Sequence, residues 1–296
     1  MPIRLVALDL DGTLLDSRGE LSARNRAAID GARARGVRVA LVTGRRFRDA
    51  RPLALELGLD VPVIAHNGAL TKHARTLQTV AVHLLPLDAA RAVLRMGRAH
   101  GADALLSDDA EGPGLLVYDR ISEDNTALAK YIAWSRRVVG DEVEAAIRRV
   151  PSLEEYLGHD PLHIAFSGSC AKMQSLSERM QSELAASVKL LLTLYPQQDF
   201  ALLDVIHPAA SKGAGLAALA EEHGLTRDEV MAVGDNLNDL EMLHFAGTGV
   251  RMANAQPGLH DIQDLHVTAT NDEDGVALAI EKFVLKDSDS GMRAEG

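Results

Sequence analysis

The stretch Ile3-Arg-Leu-Val-Ala-Leu-Asp9-Leu-Asp11-Gly-Thr-Leu14 decides the reading of this chain. A short apolar run, broken only by Arg4, stops abruptly at two acidic residues and a glycine, the pattern of a buried strand running into a turn. Asp9 and Asp11 have strand spacing, so their side chains start on the same side, and Gly12 lets the chain turn sharply beyond them. Two carboxylates this close repel each other and need a cation or a shared proton. Asp-Gly alone would read as a solvated turn; the whole string at the end of a hydrophobic strand asks for a chemical reason.

Outward from this stretch, strands and helices alternate. Ser22 opens a helical pattern through Ala34, which Gly36 stops. Val37–Val42 reads as a second buried strand ending at Thr43-Gly44-Arg45, followed by a helix over Phe47–Leu57 and a third strand over Val61–Ala65 that ends at Asn67-Gly68. This β-α-β-α-β order predicts a parallel sheet with right-handed crossovers. The far end of the chain alternates in the same way. It reads as a helix over Ala214–Glu222, a strand over Val230–Val233 ending at Gly234-Asp235-Asn236, a helix over Leu237–Phe245, a strand over Gly247–Met252, a turn at Asn271–Gly275 and a last helix to about Phe283.

The middle differs. Helical stretches (Leu87–His100, Thr126–Arg136, Glu142–Arg149) mix with strand-like ones (Ala104–Ser107, Leu115–Tyr118, Leu162–Phe166, Lys189–Leu194), and none of these strands ends in Asp, Thr and Gly punctuation. The expectation is an α/β protein: a doubly wound, mostly parallel, Rossmann-like core formed by residues 1–82 and 198–296, with an α+β cap, residues 83–197, inserted between. The polar tail Lys286–Gly296 is expected to fray.

Composition narrows the function. A net charge of −11 argues against binding a nucleic acid polymer, which needs a basic face. The single cysteine, Cys170, excludes a disulfide framework and a zinc-thiolate site and is expected to be inert. No apolar stretch is long enough to span a bilayer and the first residues do not read as a signal peptide, so a cytoplasmic protein is expected, as a monomer or small homo-oligomer, with no membrane partner. A low aromatic content of 3% argues against a large stacking platform.

In open parallel sheets, ligands sit beyond the carboxyl ends of the strands. Here those ends carry Asp9, Asp11, Thr43, Asn67 and Asp235. Thr43-Gly44 offers a hydroxyl and exposed amides for a phosphate, although Thr43 also suits a helix N-cap. Lys212 opens a helix, where the helix dipole disfavours a cation, in a chain with only seven Lys among 31 basic residues. Neutralising a phosphate or crowded carboxylates would explain it; a solvated surface lysine is the plainer alternative. Asp235 and Asp239 would share a helical face if the turn continued, with Asn238 beside them. An oxygen-rich set without His or Cys suits magnesium. His159 and His163 are separated by Pro161 and share no helix face. The Arg run at 45–51 reads as a solvated helix face.

These strings, in this order, resemble the haloacid dehalogenase superfamily, and the Asn67-Gly-Ala and Asn271–Val276 segments resemble its Cof-type branch with a large inserted cap. The resemblance implies that Asp9 attacks phosphorus and becomes an aspartyl phosphate. It implies that Asp11 protonates the leaving oxygen and then activates water, and that Leu10, Thr43, Gly44, Lys212 and Asn238 hold the phosphoryl group. Magnesium would be bound by Asp9, the backbone carbonyl of Asp11, and Asp235, with Asp239 close by. Arg45, Asn67 and Asn271 would lie beside or behind the substrate, and Asp108–Gly112 in the cap, with Arg45, would contact the leaving group. The segment Gly249-Val-Arg-Met-Ala-Asn-Ala departs from the family pattern at Arg251 and Ala253. The implied activity is hydrolysis of a small phosphorylated metabolite: a sugar phosphate, a nucleotide or a phosphorylated cofactor. Two alternatives stay open on the sequence: a phosphomutase or other phosphotransferase on the same scaffold, and a non-catalytic protein that binds a phosphorylated ligand.

Overall fold

The computed structural model describes residues 1–139 and 143–286. The start of the expected Glu142 helix and the expected fraying tail beyond Lys286 lie outside the described residues. In chain order the strands are β1 (Leu5–Leu8), β2 (Arg38–Leu41), β3 (Val63–Ala65), β4 (Leu70–Lys72), β5 (Thr79–Val82), β6 (Asp103–Asp108), β7 (Leu115–Tyr118), β8 (Ile147–Arg149), β9 (His163–Gly168), β10 (Lys189–Tyr195), β11 (Phe200–Ile206), β12 (Val230–Gly234), β13 (Thr248–Arg251) and β14 (His266–Val267).

Five of them form a parallel sheet in the order β14-β13-β12-β1-β2. β1 lies inside the sheet, between β12 and β2, and is buried on both faces, as its unbroken apolar run requires. Val6 and Leu8 pack on one face with Ile29, Val276 and Ile280; Leu5 and Ala7 pack on the other with Leu216, Leu219 and Met242. Helices Ala23–Ala34 and Gly275–Ile280 therefore cover one side and Lys212–Glu222 and Leu240–Phe245 the other, the doubly wound arrangement expected. Ser22 caps the first helix where the sequence places it, accepting from the Asn25 amide, whereas the helix read from Ala214 starts two residues earlier, at Lys212, because Ser211 accepts from the Ala214 amide.

The third expected strand departs from the expectation. β3 reaches the parallel sheet only through a parallel bridge between Val42 and Ile64, then folds back as an antiparallel hairpin with β4 and β5. Its terminal Asn67-Gly68 does not lead into a crossover helix; it is a tight turn with Asn67 at φ 55° and Gly68 at φ +92°. A Cβ on Gly68 would lie 2.0 Å from the Ser211 carbonyl oxygen, so the glycine lets this turn press on the start of the helix that carries Lys212. Gly68→Ala is expected to cost about 2–4 kcal/mol, from combined backbone strain and overpacking. Urea denaturation checks this; a loss near zero would show that the turn relaxes away from Ser211.

The middle of the chain builds a six-stranded sheet in the order β10-β11-β9-β6-β7-β8, antiparallel except between β7 and β8. One face is sealed by helices Leu87–Ala99 and Cys170–Leu184 through Val93, Phe166, Met173 and Leu203. Two expectations are corrected here. The helix expected to run to Arg149 ends at Ala146, because Ile147–Arg149 pairs with Leu116–Tyr118 as a sheet edge. A boundary at 197 would cut through the β10-β11 hairpin, where Tyr195 pairs with Phe200; the sheet of the middle unit runs on to Ile206. The two chain crossings between the units lie side by side, with His83 and His207 stacked at 5.6 Å.

Candidate active site

The carboxyl ends of β1 and β12 lie together because these strands pair directly, Leu8 opposite Val233, and the Asp9 amide continues the ladder to the Val233 carbonyl. This brings residues more than two hundred positions apart into one cluster. Lys212, 1% exposed, donates to Asp9 at 2.7 Å and to Asp239 at 2.5 Å. The carboxylates of Asp9, Asp235 and Asp239 converge, with one oxygen of each within 4.8 Å of the others. Lys212 is therefore not a solvated surface residue. An ammonium at a helix start is tolerated because two carboxylates, one fully buried, outweigh the helix dipole.

Asp235 and Asp239 do not share a helix face. Asp235 ends β12, and Asp239 closes a capping box in which its Oδ2 accepts from the Asp235 and Asn236 amides at 3.0 and 2.9 Å. That bond pair turns its other oxygen toward Lys212. Gly12 and Gly234 allow the approach: a Cβ on Gly12 would lie 2.5 Å from Asp235 Oδ2, and one on Gly234 would lie 2.6 Å from Asp239 Cβ. Thr13, fully buried, donates to Asp235 at 2.9 Å.

Electrostatically the cluster is short of positive charge. Burial raises the pKa of Asp9 well above its ordinary value; Lys212 opposes the shift, while Asp239 and Asp235 add to it. Asp235 is pushed up to about 6 by burial and by the charge of Asp239. Burial works against the Lys212 charge, but Asp239 and Asp9 outweigh it and hold its pKa above the usual lysine value. Three carboxylates facing one ammonium, with no His or Cys among them, are a donor set that fits a hard divalent cation.

Asp11 stands apart. Its side chain is 62% exposed and accepts from two Arg45 nitrogens, Nε at 2.8 Å and Nη2 at 2.5 Å. Its carboxylate is not in the three-carboxylate cluster, which leaves only its backbone carbonyl for a metal. Thr43 is fully buried and is not the helix N-cap, because the helix starts later, at Phe47; its oxygen accepts from the Arg45 amide at 3.0 Å, and its hydroxyl proton remains to be given. Leu10 points into the hydrophobic core, leaving its backbone as its polar contact surface. Asn238 donates to Asn67 at 2.8 Å, and its own Oδ1 is buried without a partner among the described residues. Gly44 leaves little room for a side chain, since a Cβ there would lie 3.0 Å from Asn67 Oδ1.

Above the cluster lies a cavity of about 450 Å3 whose wall includes Asp9, Asp11, Gly44, Arg45, Asn67, Lys212 and Asn238. Its roof is the open face of the six-stranded sheet. Asn271 is not at the cavity. It donates to the Leu15 carbonyl, and its amide is held by Asn254, which also donates to the Gly12 carbonyl; the pair buttresses the Asp9–Thr13 loop from behind. The departures at Arg251 and Ala253 leave this buttress intact: Ala253 is exposed, so its methyl meets solvent.

Three expectations fail at the cavity. Residues 108–112 do not line it: Asp108 is bound by Tyr156 and His159, and Asp109 by the amides of Gly112 and Gly114. The Arg run is not a solvated face, because Arg46 is buried against Asp49, while Arg48 and Arg51 donate to the carbonyls of Gly114 and Ala74. The low aromatic content is misleading: of five Phe, four Tyr and one Trp, the cavity collects Tyr131, Trp134, Tyr195 and Phe200. Phe200, Leu202 and Asp204 share one face of β11, but the strand is apolar on both faces apart from Asp204, so no alternation marks that face in the sequence. His163 lines the cavity from β9, well separated in role from His159.

A family model described as haloacid dehalogenase-like hydrolase matches residues 6–280. Among curated proteins, the chain is 30% identical over 283 residues to a 5-amino-6-(5-phospho-D-ribitylamino)uracil phosphatase, YcsE, of Bacillus subtilis, covering 96% of each. It is 28% identical over 291 residues to the pyridoxal phosphate phosphatase YbhA of Escherichia coli, covering 94% of this chain and 97% of that one. Among solved structures, a haloacid dehalogenase-like hydrolase from Bacteroides thetaiotaomicron superposes with a TM-score of 0.78 at 29% identity, over 95% of this chain and 99% of that one.

Proposed function

Because the chain belongs to the haloacid dehalogenase-like hydrolases, we propose how its own residues carry out phosphoester hydrolysis. The protein is a phosphatase of small phosphorylated metabolites. The observation that supports the assignment of roles is the buried contact of Lys212 with Asp9 and Asp239 at the floor of a cavity reached by Asp11.

Asp9 is the nucleophile. Its carboxylate attacks phosphorus and forms an acyl phosphate as the ester oxygen leaves, which splits one difficult displacement into two easier ones. Asp11 gives its proton to that leaving oxygen and, now ionised, takes a proton from the water that hydrolyses the acyl phosphate. Arg45 holds the Asp11 carboxylate at the cavity wall, apart from the three buried carboxylates. Lys212, the Thr43 hydroxyl, the Gly44 and Leu10 backbone and the Asn238 side chain hold the phosphoryl oxygens, the charge neutralisation and positioning on which phosphoryl transfer depends. Arg45 and Asn67 line the cavity beside this group, and Asn271 acts only through the loop it supports. Asp9, Asp235 and the Asp11 carbonyl would hold magnesium, with Asp239 orienting the site through Lys212 and the Asp235 amide. Magnesium would supply positive charge that lets an anionic nucleophile approach an anionic phosphate.

The division of labour follows the two sheets: residues 1–82 and those after Ile206 form the catalytic core, and the inserted unit between them is a cap that covers the leaving group. No helix among the described residues is long and apolar enough to cross a membrane; the single unpaired cysteine suits a cytoplasmic setting. Phosphate release from p-nitrophenyl phosphate tests the reading. Turnover is expected to fall at least about 100-fold in chelator and to return with added magnesium. Turnover that is indifferent to chelator would remove the metal from this scheme.

A further inference from the structure

The cap's contribution to the cavity has a chemistry of its own. The open face of the six-stranded sheet presents alternate residues of β10 and β11, including Tyr195, Phe200 and Asp204, while the helix Thr126–Val139 brings Tyr131 and Trp134. The aromatics come as two stacked pairs: Tyr131 with Trp134 at 6.1 Å, and Tyr195 with Phe200 at 5.8 Å. The first pair is braced against the core, since Tyr131 donates to Asp49 and lies under the Arg46 guanidinium at 5.6 Å. Leu105, Leu116, Leu128 and Leu202 fill the space between them, with Ser107, His163 and Thr193 as polar neighbours, so much of the upper wall is π face and aliphatic surface.

Asp204 is the carboxylate that the cap brings to this wall. One carboxylate oxygen is bound by His163 Nε2 at 2.9 Å, and His163 is oriented in turn by Ser107 at 3.5 Å. The other oxygen takes no hydrogen bond from the described residues, and Asp204 lines the cavity. A fixed carboxylate oxygen in an apolar, aromatic wall selects a ligand that brings an N–H or O–H donor and repels one that brings a second anion. A polyol fits this wall poorly, because most of its hydroxyls would lose water without gaining a partner. A flat ring has faces that stack on aromatics and few groups to desolvate.

We propose that the cap selects phosphate esters whose alcohol carries a planar nitrogen heterocycle, its ring stacked on the Tyr195-Phe200 and Tyr131-Trp134 walls and an N–H or ring hydroxyl donated to Asp204. The inference rests on the phosphatase reading for its catalytic half, but not for its binding half. Trp134 is the chain's single tryptophan, so its fluorescence reports occupancy of the upper cavity whether or not turnover occurs.

Two measurements test the proposal together. Phosphate release is compared for pyridoxamine 5′-phosphate and uridine 5′-monophosphate against glucose 6-phosphate and glycerol 3-phosphate. Binding of the same four compounds is then followed by Trp134 fluorescence in the Asp9→Asn protein. At least one heterocyclic ester is expected to exceed both polyol esters in kcat/KM by about tenfold or more, and to quench Trp134 at lower concentration. Asp204→Asn is expected to shrink the heterocycle-to-glucose ratio of kcat/KM about tenfold, and Tyr195→Leu to shrink it by a smaller factor, both through KM. Equal or better handling of the polyol esters, in turnover or in fluorescence, overturns the proposal. So does an Asp204→Asn protein that loses activity on all four in the same proportion. Heterocycle-selective quenching without hydrolysis of any ester would uphold the cap's selectivity while refuting the phosphatase reading.

Discussion

Asp9→Asn is expected to reduce phosphate release by about four orders of magnitude or more without lowering thermal stability. The activity loss follows from removing the carboxylate that both lines the cavity floor and contacts Lys212; an amide is a poor nucleophile and forms no acyl phosphate. The stability half follows from burial. The fold raises the pKa of Asp9 above its ordinary value of 3.8, so at neutral pH the ionised carboxylate favours the unfolded chain, where it is solvated. Asparagine resembles the protonated form, and Lys212 keeps its bond to Asp239. Steady-state phosphate release and thermal melts, both in chelator and in magnesium, check the two halves. Residual turnover of about a tenth of the parent rate would rule out Asp9 as nucleophile, and a sharply lower melting temperature in chelator would show that Asp9 is held mainly by its pairing.

Lys212→Met carries the opposite stability expectation. Methionine replaces much of the buried stem, but the ammonium is lost and Asp9 and Asp239 face each other without compensation. Removing one partner from a buried charge cluster costs about 3–5 kcal/mol, and turnover should fall with it because the phosphoryl oxygens lose a cation. Adding Asp239→Asn to Lys212→Met should restore about 1–3 kcal/mol, since it removes one of the stranded charges. Urea unfolding of the four proteins in this cycle, at neutral pH and without metal, measures the coupling. Equal losses in the single and double variants would mean that Asp239 and Lys212 do not sense each other.

The contrast between these two variants shows how the site is built. Asp9 is a charge that the fold holds against burial; Lys212 is the charge that offsets this cost. The same logic explains why the cluster fits a divalent cation, since one ammonium cannot balance three converging carboxylates.

Much of this was legible in one dimension. The parallel core announced itself through short apolar strands ending in Asp, Thr and Gly, because strands buried on both faces leave only their ends free for polar work. Asp9, Lys212 and Asp235 were readable as a set, because turn and surface chemistry explains each alone but not all of them in this order, and Gly12 because a sharp turn must follow. Local pattern located the core strand ends and pointed to the residues to which the catalytic roles are assigned. Tertiary structure alone decided the rest. The hairpin after β3 depends on the fit of Gly68 against Ser211, a contact between segments far apart in the chain. Asp239 acts through a capping bond whose geometry no periodicity encodes. Above all, the cavity wall of Tyr131, Trp134, Tyr195, Phe200 and Asp204 comes from a helix and a hairpin, far apart in the chain, that the inserted unit's own fold brings to one cavity. Composition counts aromatic residues but not their convergence, and convergence is fixed by which faces must be buried against one another.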